Sequence, residues 1–121
     1  MNINFKKYFP LSFLIISTQS LAGGFSNFAI PTRIDIDRGN GFMIYGDFGN
    51  PGNCTTANRL YVQKTHPQYD QMYAMALTAF TSGKKIQGYS HNCASVSWYT
   101  ATTTTYNTLA DQGTLYITNG E

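Results

Sequence analysis

Alternating apolar and polar positions predict two β-strands between residues 30 and 48. In the segment 30–37, Ile34 and Ile36 alternate with charged residues, so one face of an extended chain is apolar. The turn-forming segment 38–41 follows, and residues 42–48 are again mostly apolar. The pattern therefore predicts a hairpin of two strands with one buried face.

The most strongly periodic segment predicts one helix, at about residues 67–82. Apolar side chains recur there at steps of three and four, which places them on one side of a helix. Pro67 suits a first turn, Thr65 and Gln68 have capping-box spacing, and Gly83 supplies the positive φ with which helices commonly end. The predicted apolar stripe consists of Tyr69, Met72, Tyr73, Ala76, Leu77 and Phe80.

Shorter apolar runs predict further strands on both sides of the helix. Residues 59–63 and 86–91 have strand-like patterns, and 115–118 predict a short final strand. Residues 97–106 are rich in threonine and aromatics and are compatible with an extended chain. The expected fold class is β-rich α+β: a small barrel or curved sheet of about five to six strands, with one helix between the third and fourth strands.

The first part of the chain, residues 1–22, has the order of an export signal. Two lysines precede an apolar stretch at 8–16, and the small-x-small tripeptide 20–22 follows. The apolar stretch is shorter than the roughly 20 residues that a membrane-spanning helix needs. We therefore expect a signal peptide cleaved after Ala22. Residues 23–121 are then a single secreted or periplasmic domain with no integral membrane segment.

Removal of the signal changes the charge of the protein. The whole chain has eight Lys and Arg residues against six Asp and Glu residues, but Lys6 and Lys7 belong to the signal. The mature domain therefore keeps six cations and six anions and has no net charge. Without a basic stripe that could neutralise a phosphate backbone, a nucleic-acid partner is not expected.

Both cysteines, Cys54 and Cys93, lie in the mature domain. Cysteines of exported proteins pair in oxidising compartments, so we expect a disulfide that ties together the strands on either side of the helix. The alternative is a metal or redox site. The spacing is not Cys-x-x-Cys, and two thiols are too few for a zinc site. We therefore expect no metal and no cofactor.

Aromatic residues are the most informative candidates for a binding surface. The mature domain has eight tyrosines, five phenylalanines and one tryptophan. Tyrosine and tryptophan combine a flat apolar face with a polar tip, which suits sugar or protein surfaces. Trp98 and Tyr99, which precede a threonine-rich run, are candidate ligand-binding residues together with Tyr89. β-Sheets also favour tyrosine and threonine, so a purely structural reason explains the enrichment equally well.

The sequence contains no catalytic signature such as a nucleophile elbow, a zinc-protease motif or a P-loop. His66 and His91 are the only histidines. A catalytic acid–base pair requires that they meet, and nothing in the sequence brings them together. We expect a protein that is not an enzyme, and a small enzyme that uses either histidine is the remaining catalytic alternative.

The helix and the strand after it resemble part of a known toxin family. Residues 69–89 run from a helix rich in aromatics and alanine, through Gly83, into a polar strand that leads to Cys93. This segment resembles the helix-glycine-strand segment of the B subunits of bacterial AB5 toxins of the subtilase-cytotoxin type. Phe25-Ser26, just before the first predicted strand, looks like the place where that family keeps a serine that contacts the sugar.

The resemblance implies an OB-like barrel, a ring of five copies, a toxin A subunit as partner, and binding of sialylated cell-surface glycans. Ser26 thereby joins Tyr89, Trp98 and Tyr99 as a candidate ligand contact. The expected function is that of a secreted, non-enzymatic binding module. The alternative is a secreted or periplasmic protein-interaction domain, such as a hydrolase inhibitor, that inserts a loop at 50–58 or 95–105 into its partner.

Overall fold

The computed structural model describes residues 23–36, 40–96 and 103–120 of the 121-residue chain. A single helix, α1, spans Tyr69–Ser82, and eight strands make up the rest of the regular structure in this part of the chain. The strands are β1 (Gly24–Phe25), β2 (Arg33–Ile36), β3 (Gly41–Tyr45), β4 (Thr56–Gln63), β5 (Lys85–Ser90), β6 (Asn92–Ala94), β7 (Tyr106–Leu109) and β8 (Leu115–Thr118). The β-rich α+β class is confirmed, and α1 lies between the two strands predicted to flank it.

The strands form two sheets. One has five strands in the order β2-β3-β4-β7-β6, and the other has three strands in the order β1-β5-β8. All neighbouring strands are antiparallel except β4 and β7, which are parallel. Among the described residues the strands do not close into a barrel. The strand count exceeds the predicted five to six because β1 and β6 have only two and three residues, too few for a periodic pattern.

The helix ends as predicted but begins differently. Gly83 caps it with φ at 73°. At the other end the capping box does not form, because Gln68 makes no side-chain cap. Instead, His66 accepts a hydrogen bond from the Gln68 N–H at Nδ1 (2.9 Å) and one from the Tyr69 N–H at its carbonyl oxygen (3.0 Å). Within the described residues, no helix combines the length and the apolar character required to cross a bilayer.

The buried side of α1 is narrower than the predicted stripe. It is formed by Met72, Ala76 and Ala79, whereas Leu77 and Phe80 are exposed. Tyr69 and Tyr73 of the predicted stripe are partly buried and pack their rings against Phe42. The predicted stripe is therefore confirmed on this side and wrong at Leu77 and Phe80.

The main core lies between α1 and the inner faces of the two sheets. Gly88 of β5 lies at a close approach of the two sheets: a Cβ there would lie 3.1 Å from Leu60 Cδ1 and 3.3 Å from Leu109 Cδ2. Each fully buried aliphatic or aromatic side chain contributes about 1.5–3 kcal/mol. The largest fully buried apolar members of this core are Phe42, Phe48, Ile44, Leu60, Ile86, Leu109 and Val62.

The predicted disulfide between Cys54 and Cys93 is present, with a Cα–Cα distance of 5.5 Å. It does not join β4 to β5 as expected, because Cys54 lies in the loop before β4 and Cys93 lies in β6. The loop 49–55 folds over Asn107 of β7, whose Oδ1 accepts a hydrogen bond from the Gly52 N–H at 2.7 Å. The disulfide therefore secures this loop and the edge strand β6 around β7.

Candidate functional site

The outward face of the three-stranded sheet carries aromatic side chains from all three of its strands. Phe25 of β1 is paired with Tyr89 of β5, and Tyr116 of β8 is paired with Gln87 of β5. Residues alternate between the two faces of a strand, and the inward positions of β5 are buried. Phe25, Tyr89 and Tyr116 therefore share one outward surface, called the aromatic platform below.

The rings of the platform pack against each other and remain accessible to solvent. The Phe25 and Tyr116 rings are stacked with centroids 5.9 Å apart, and the Phe25 and Tyr89 rings meet edge to face at 4.9 Å. Phe25 and Tyr116 are 50% and 48% exposed, respectively. The exposed His91 ring lies 4.8 Å from Tyr89 and extends the surface. Half-exposed rings that support each other form a pre-ordered apolar surface.

Ser26 lies beneath the platform and is only 4% exposed. Its Oγ accepts a hydrogen bond from the Gly88 N–H at 3.1 Å and donates one to the Asn27 carbonyl at 2.8 Å. Its own N–H donates to the Gly88 carbonyl at 2.8 Å, and Gln87 Nε2 donates to the Ser26 carbonyl at 2.9 Å. Three of these hydrogen bonds attach the chain just after Phe25 to β5, and the one to Asn27 stays within the same segment. The sugar-contacting role implied for Ser26 by the resemblance stays a prediction.

Of the other predicted ligand-binding residues, Tyr89 belongs to the platform, and Trp98 and Tyr99 lie outside the described residues. Sequence reasoning missed Phe25 and Tyr116 as members of the surface. A signal existed for Tyr116, because it follows the apolar Leu115 in a predicted strand and so points to the opposite face. Phe25 had no periodic signal, because β1 is only two residues long, although the toxin resemblance placed it beside Ser26.

The structure does not bring the two histidines together as an acid–base pair. His66 is buried at the start of α1, and its Nε2 has no hydrogen-bond partner in the described part of the chain. His91 is exposed beside Tyr89, and no hydrogen bond joins it to His66. In residues 23–36, 40–96 and 103–120, no three His, Cys, Asp or Glu side chains are grouped closely enough to hold a metal ion.

The outward face of the five-stranded sheet has a different chemistry. Tyr45 of β3 is paired with Arg33 of β2 on one side and Arg59 of β4 on the other. The two guanidinium carbons lie 4.7 and 4.3 Å from its ring centroid, respectively. Asp35 accepts hydrogen bonds from Arg33 Nε at 2.7 Å and from the Tyr45 hydroxyl at 2.9 Å. Together with Tyr106, whose ring centroid is 5.9 Å from the Arg59 guanidinium, these residues form the cation–aromatic row.

No protein-family model matches this sequence, and neither a curated protein nor a solved structure matches it. Neither surface therefore inherits a role from a relative. The platform presents aromatic rings to solvent, whereas the ring of Tyr45 in the row is stacked against guanidinium groups. The platform is thus the better candidate for direct contact with an apolar or amphipathic ligand.

Proposed function

We propose that the protein is a secreted, non-enzymatic binding module that recognises a cell-surface glycan through the aromatic platform. The observation that carries this proposal is the convergence of Phe25, Tyr89 and Tyr116 on one accessible surface. Sugar rings have apolar C–H faces that pack on flat aromatic rings, and tyrosine hydroxyls can bond to the sugar hydroxyls at the edge. A glycan contact uses both properties of this surface.

The proposal includes a B-type subunit of an AB5 toxin, with an OB-like, incompletely closed barrel as its fold. The position of the helix between β4 and β5 supports it, as does the presence of a disulfide. Exposed Leu77 and Phe80 on α1 offer an apolar surface that a ring of five copies would cover. In such an assembly a toxin A subunit is the second protein partner, and the glycan is the ligand on the target cell.

Glycan binding is tested with residues 23–121 on a glycan array, followed by calorimetry with any sugar that binds. We expect the Phe25→Ala and Tyr116→Ala variants to lose at least tenfold in affinity, because truncation of a central aromatic contact removes about 1.4 kcal/mol or more. Ile36→Ala is the matched control, since it removes a similarly exposed apolar side chain from β2 of the other sheet, away from both the platform and α1. Unchanged binding in both platform variants would contradict the platform as the glycan site.

Ring assembly is tested separately by light scattering coupled to size-exclusion chromatography. We expect a pentamer, and we expect a Leu77→Gln/Phe80→Gln double variant to shift toward the monomer because both side chains are exposed on α1. A monomeric wild-type protein at high concentration would refute the ring. It would leave the glycan proposal to be judged on the array alone.

A protein partner is the second candidate, and the rigidity of the loop 49–55 favours it. Asn50 binds Cys54 in both directions: its Nδ2 donates to the Cys54 carbonyl and its Oδ1 accepts from the Cys54 N–H, both at 2.8 Å. The disulfide anchors the same loop. A loop ordered before binding loses little entropy on insertion into a hydrolase cleft. Capture of one hydrolase from secreted proteins, with no glycan bound on the array, would favour this alternative.

A further inference from the structure

A groove lined by residues of both charges lies on the five-stranded sheet, whereas the platform belongs to the other sheet. Its volume is about 390 Å³, within the range of small-molecule sites. Tyr45, Asp47, Asn58 and Arg59 are among its lining residues. Two of these residues, Arg59 and Asp47, carry opposite charges. The contacts of these two side chains indicate which kind of ligand the groove can bind.

The Arg59 guanidinium is held in place but has unused donors. It stacks on the Tyr45 ring at 4.3 Å and lies 5.9 Å from the Tyr106 ring centroid. Across the described segments it donates no hydrogen bond and pairs with no carboxylate, whereas Arg33 is paired with Asp35 at 2.7 Å. Stacking fixes the plane of a guanidinium and leaves its N–H fork able to bind a carboxylate with two parallel hydrogen bonds.

Asp47 supplies the opposite charge to the same groove. It is exposed, and in the part of the chain that the structure describes no cation pairs with it. The two charges therefore line one groove without neutralising each other. A simple anion is attracted by Arg59 but repelled by Asp47. A simple cation is attracted by Asp47 but repelled by Arg59.

The backbone that carries these two side chains is rigid. Asn58 has a left-handed conformation with φ at 64°, and its Oδ1 accepts a hydrogen bond from the Gly49 N–H at 2.8 Å. Its N–H donates to the Gly49 carbonyl at 2.8 Å, and its carbonyl accepts from the Gly46 N–H at 3.3 Å. These bonds tie the segment 46–49, which contains Asp47, to β4 just before Arg59. A groove ordered in advance lowers the entropic cost of binding a small ligand.

We infer that this groove binds a small zwitterion of the α-amino-acid class. The carboxylate of the ligand binds the Arg59 guanidinium fork, and its ammonium group binds the Asp47 carboxylate. A zwitterion satisfies both charges, and a neutral sugar satisfies neither. This site is additional to the proposed glycan site and does not depend on it.

The test is a titration of ¹⁵N-labelled residues 23–121, followed by NMR at constant ionic strength. The probes are L-alanine, propionate, which carries only the carboxylate, and ethylammonium, which carries only the cation. We expect alanine to shift the Gly46 and Asn58 amides and the Arg59 Nε–H saturably. We expect its dissociation constant to be at least tenfold lower than that of either half-probe.

The decisive variant is Asp47→Asn, which alters an exposed side chain and leaves the folded core untouched. We expect it to weaken alanine binding at least tenfold and to strengthen propionate binding, because the repelling carboxylate is gone. Arg59→Lys keeps the positive charge but loses the fork, and we expect it to weaken both probes. Asp111→Asn is the matched control, since it makes the same charge change in an exposed turn after β7.

Three results would overturn the inference. The first is the absence of a saturable shift with alanine in the wild-type protein. The second is an equal response to alanine and propionate in both wild type and Asp47→Asn. The third is a direct Arg59–Asp47 ion pair in a crystal structure of the free protein, because the two charges of the groove would then neutralise each other. None of these results bears on glycan binding, which is measured at Phe25 and Tyr116.

Discussion

Tyr116 on the three-stranded sheet and Tyr45 on the five-stranded sheet both point away from the main core, but their rings have different neighbours. Tyr116 stacks on Phe25 and remains 48% exposed. Tyr45 lies between Arg33 and Arg59, and its hydroxyl donates to a carboxylate. The same residue type thus provides an accessible surface on one sheet and the centre of a polar network on the other.

The cross-strand partner explains this difference. On the platform, Tyr116 is opposite Gln87 and diagonal to Phe25, so no cation is placed over its ring. In the row, the register puts an arginine directly opposite Tyr45 on both sides. Residues opposite each other in a sheet are its closest side-chain neighbours. Whether a tyrosine is available to a ligand therefore depends on strand register more than on the tyrosine itself.

The largest expected loss of stability comes from removing the disulfide, which anchors the five-stranded sheet that carries the cation–aromatic row. The Cys54→Ala/Cys93→Ala variant removes a disulfide between residues 39 positions apart, which the chain-entropy model values at about 3–4 kcal/mol. Urea unfolding followed by circular dichroism measures this loss. A reductant should destabilise the wild type by a similar amount and leave the variant unchanged.

Hydrogen exchange of the same disulfide variant distinguishes the two sheets. We expect amides of β6 and β7 to lose more protection than those of β8, because the bond anchors β6 and the loop around β7. Equal loss of protection in both sheets would contradict the local role assigned to the disulfide and would mean that the two sheets unfold as one unit.

Alanine substitutions of Tyr45 and Tyr116 test directly whether the two tyrosines have different roles. We expect Tyr45→Ala to cost about 2–3 kcal/mol, because it removes a half-buried ring and leaves two arginines without their aromatic contact. Tyr116→Ala should cost less than about 1 kcal/mol, since its ring is half exposed. Glycan affinity should show the opposite order: Tyr116→Ala loses affinity and Tyr45→Ala does not.

Tyr45→Phe is the control for this pair, because it keeps the ring between the arginines and removes the hydroxyl that donates a hydrogen bond to Asp35. It should cost about 1 kcal/mol. Chemical denaturation gives the stabilities and calorimetry gives the affinities. If both alanine variants lose stability and glycan binding together, the two tyrosines do not have the separate roles assigned to them.

Much of the fold could be predicted where an element is long enough to repeat a pattern. The helix, the hairpin of β2 and β3, and the final strand Leu115–Thr118 were predicted close to their observed bounds. The division into two sheets could not be predicted, because it depends on pairings such as β4 with β7, which join distant parts of the chain in parallel. Local periodicity contains no information about such pairings.

The candidate site was less predictable than the fold. The aromatic chemistry of Tyr89 made it a candidate, but its neighbours on the platform come from opposite ends of the described chain. Phe25 reaches Tyr116 only because β1 and β8 flank the same central strand. The role of Arg59 in the groove could not be predicted either. Its guanidinium is positioned by stacking on Tyr45, which depends on strand register and corresponds to no sequence motif.

A smaller effect is expected from the support beneath the platform. Ser26→Ala removes the acceptor for the Gly88 N–H and should cost about 1–2 kcal/mol. It should also weaken glycan binding, because Phe25 is no longer held firmly against Tyr89. Ser95→Ala, at an exposed position just after β6, is the control and should change neither quantity. Lost binding with unchanged stability would instead favour the direct sugar contact that the toxin resemblance implies for Ser26.

The smallest effect concerns Tyr61, which packs with Met43, Val96 and Tyr106 in a second buried cluster. Burial raises the pKa of Tyr61 above 10.0, and nearby Tyr69 raises this pKa further. The folded protein thus keeps this phenol protonated more readily than the unfolded chain does. The resulting stabilisation is fully present below about pH 10 and is lost as the pH rises through the folded-state pKa.

Tyr61→Phe separates this effect from the hydrogen bond that the Tyr61 hydroxyl donates to the Asn40 carbonyl at 2.7 Å. At neutral pH the variant should lose about 0.5–1.5 kcal/mol for that bond. Above about pH 10 its free energy of unfolding should fall less steeply than that of the wild type, because no phenol remains at position 61 to ionise on unfolding. The measurement is urea unfolding at a series of alkaline pH values. Parallel curves for the two proteins would mean that Tyr61 ionises equally easily in the folded and unfolded chain, despite its burial behind the cation–aromatic row.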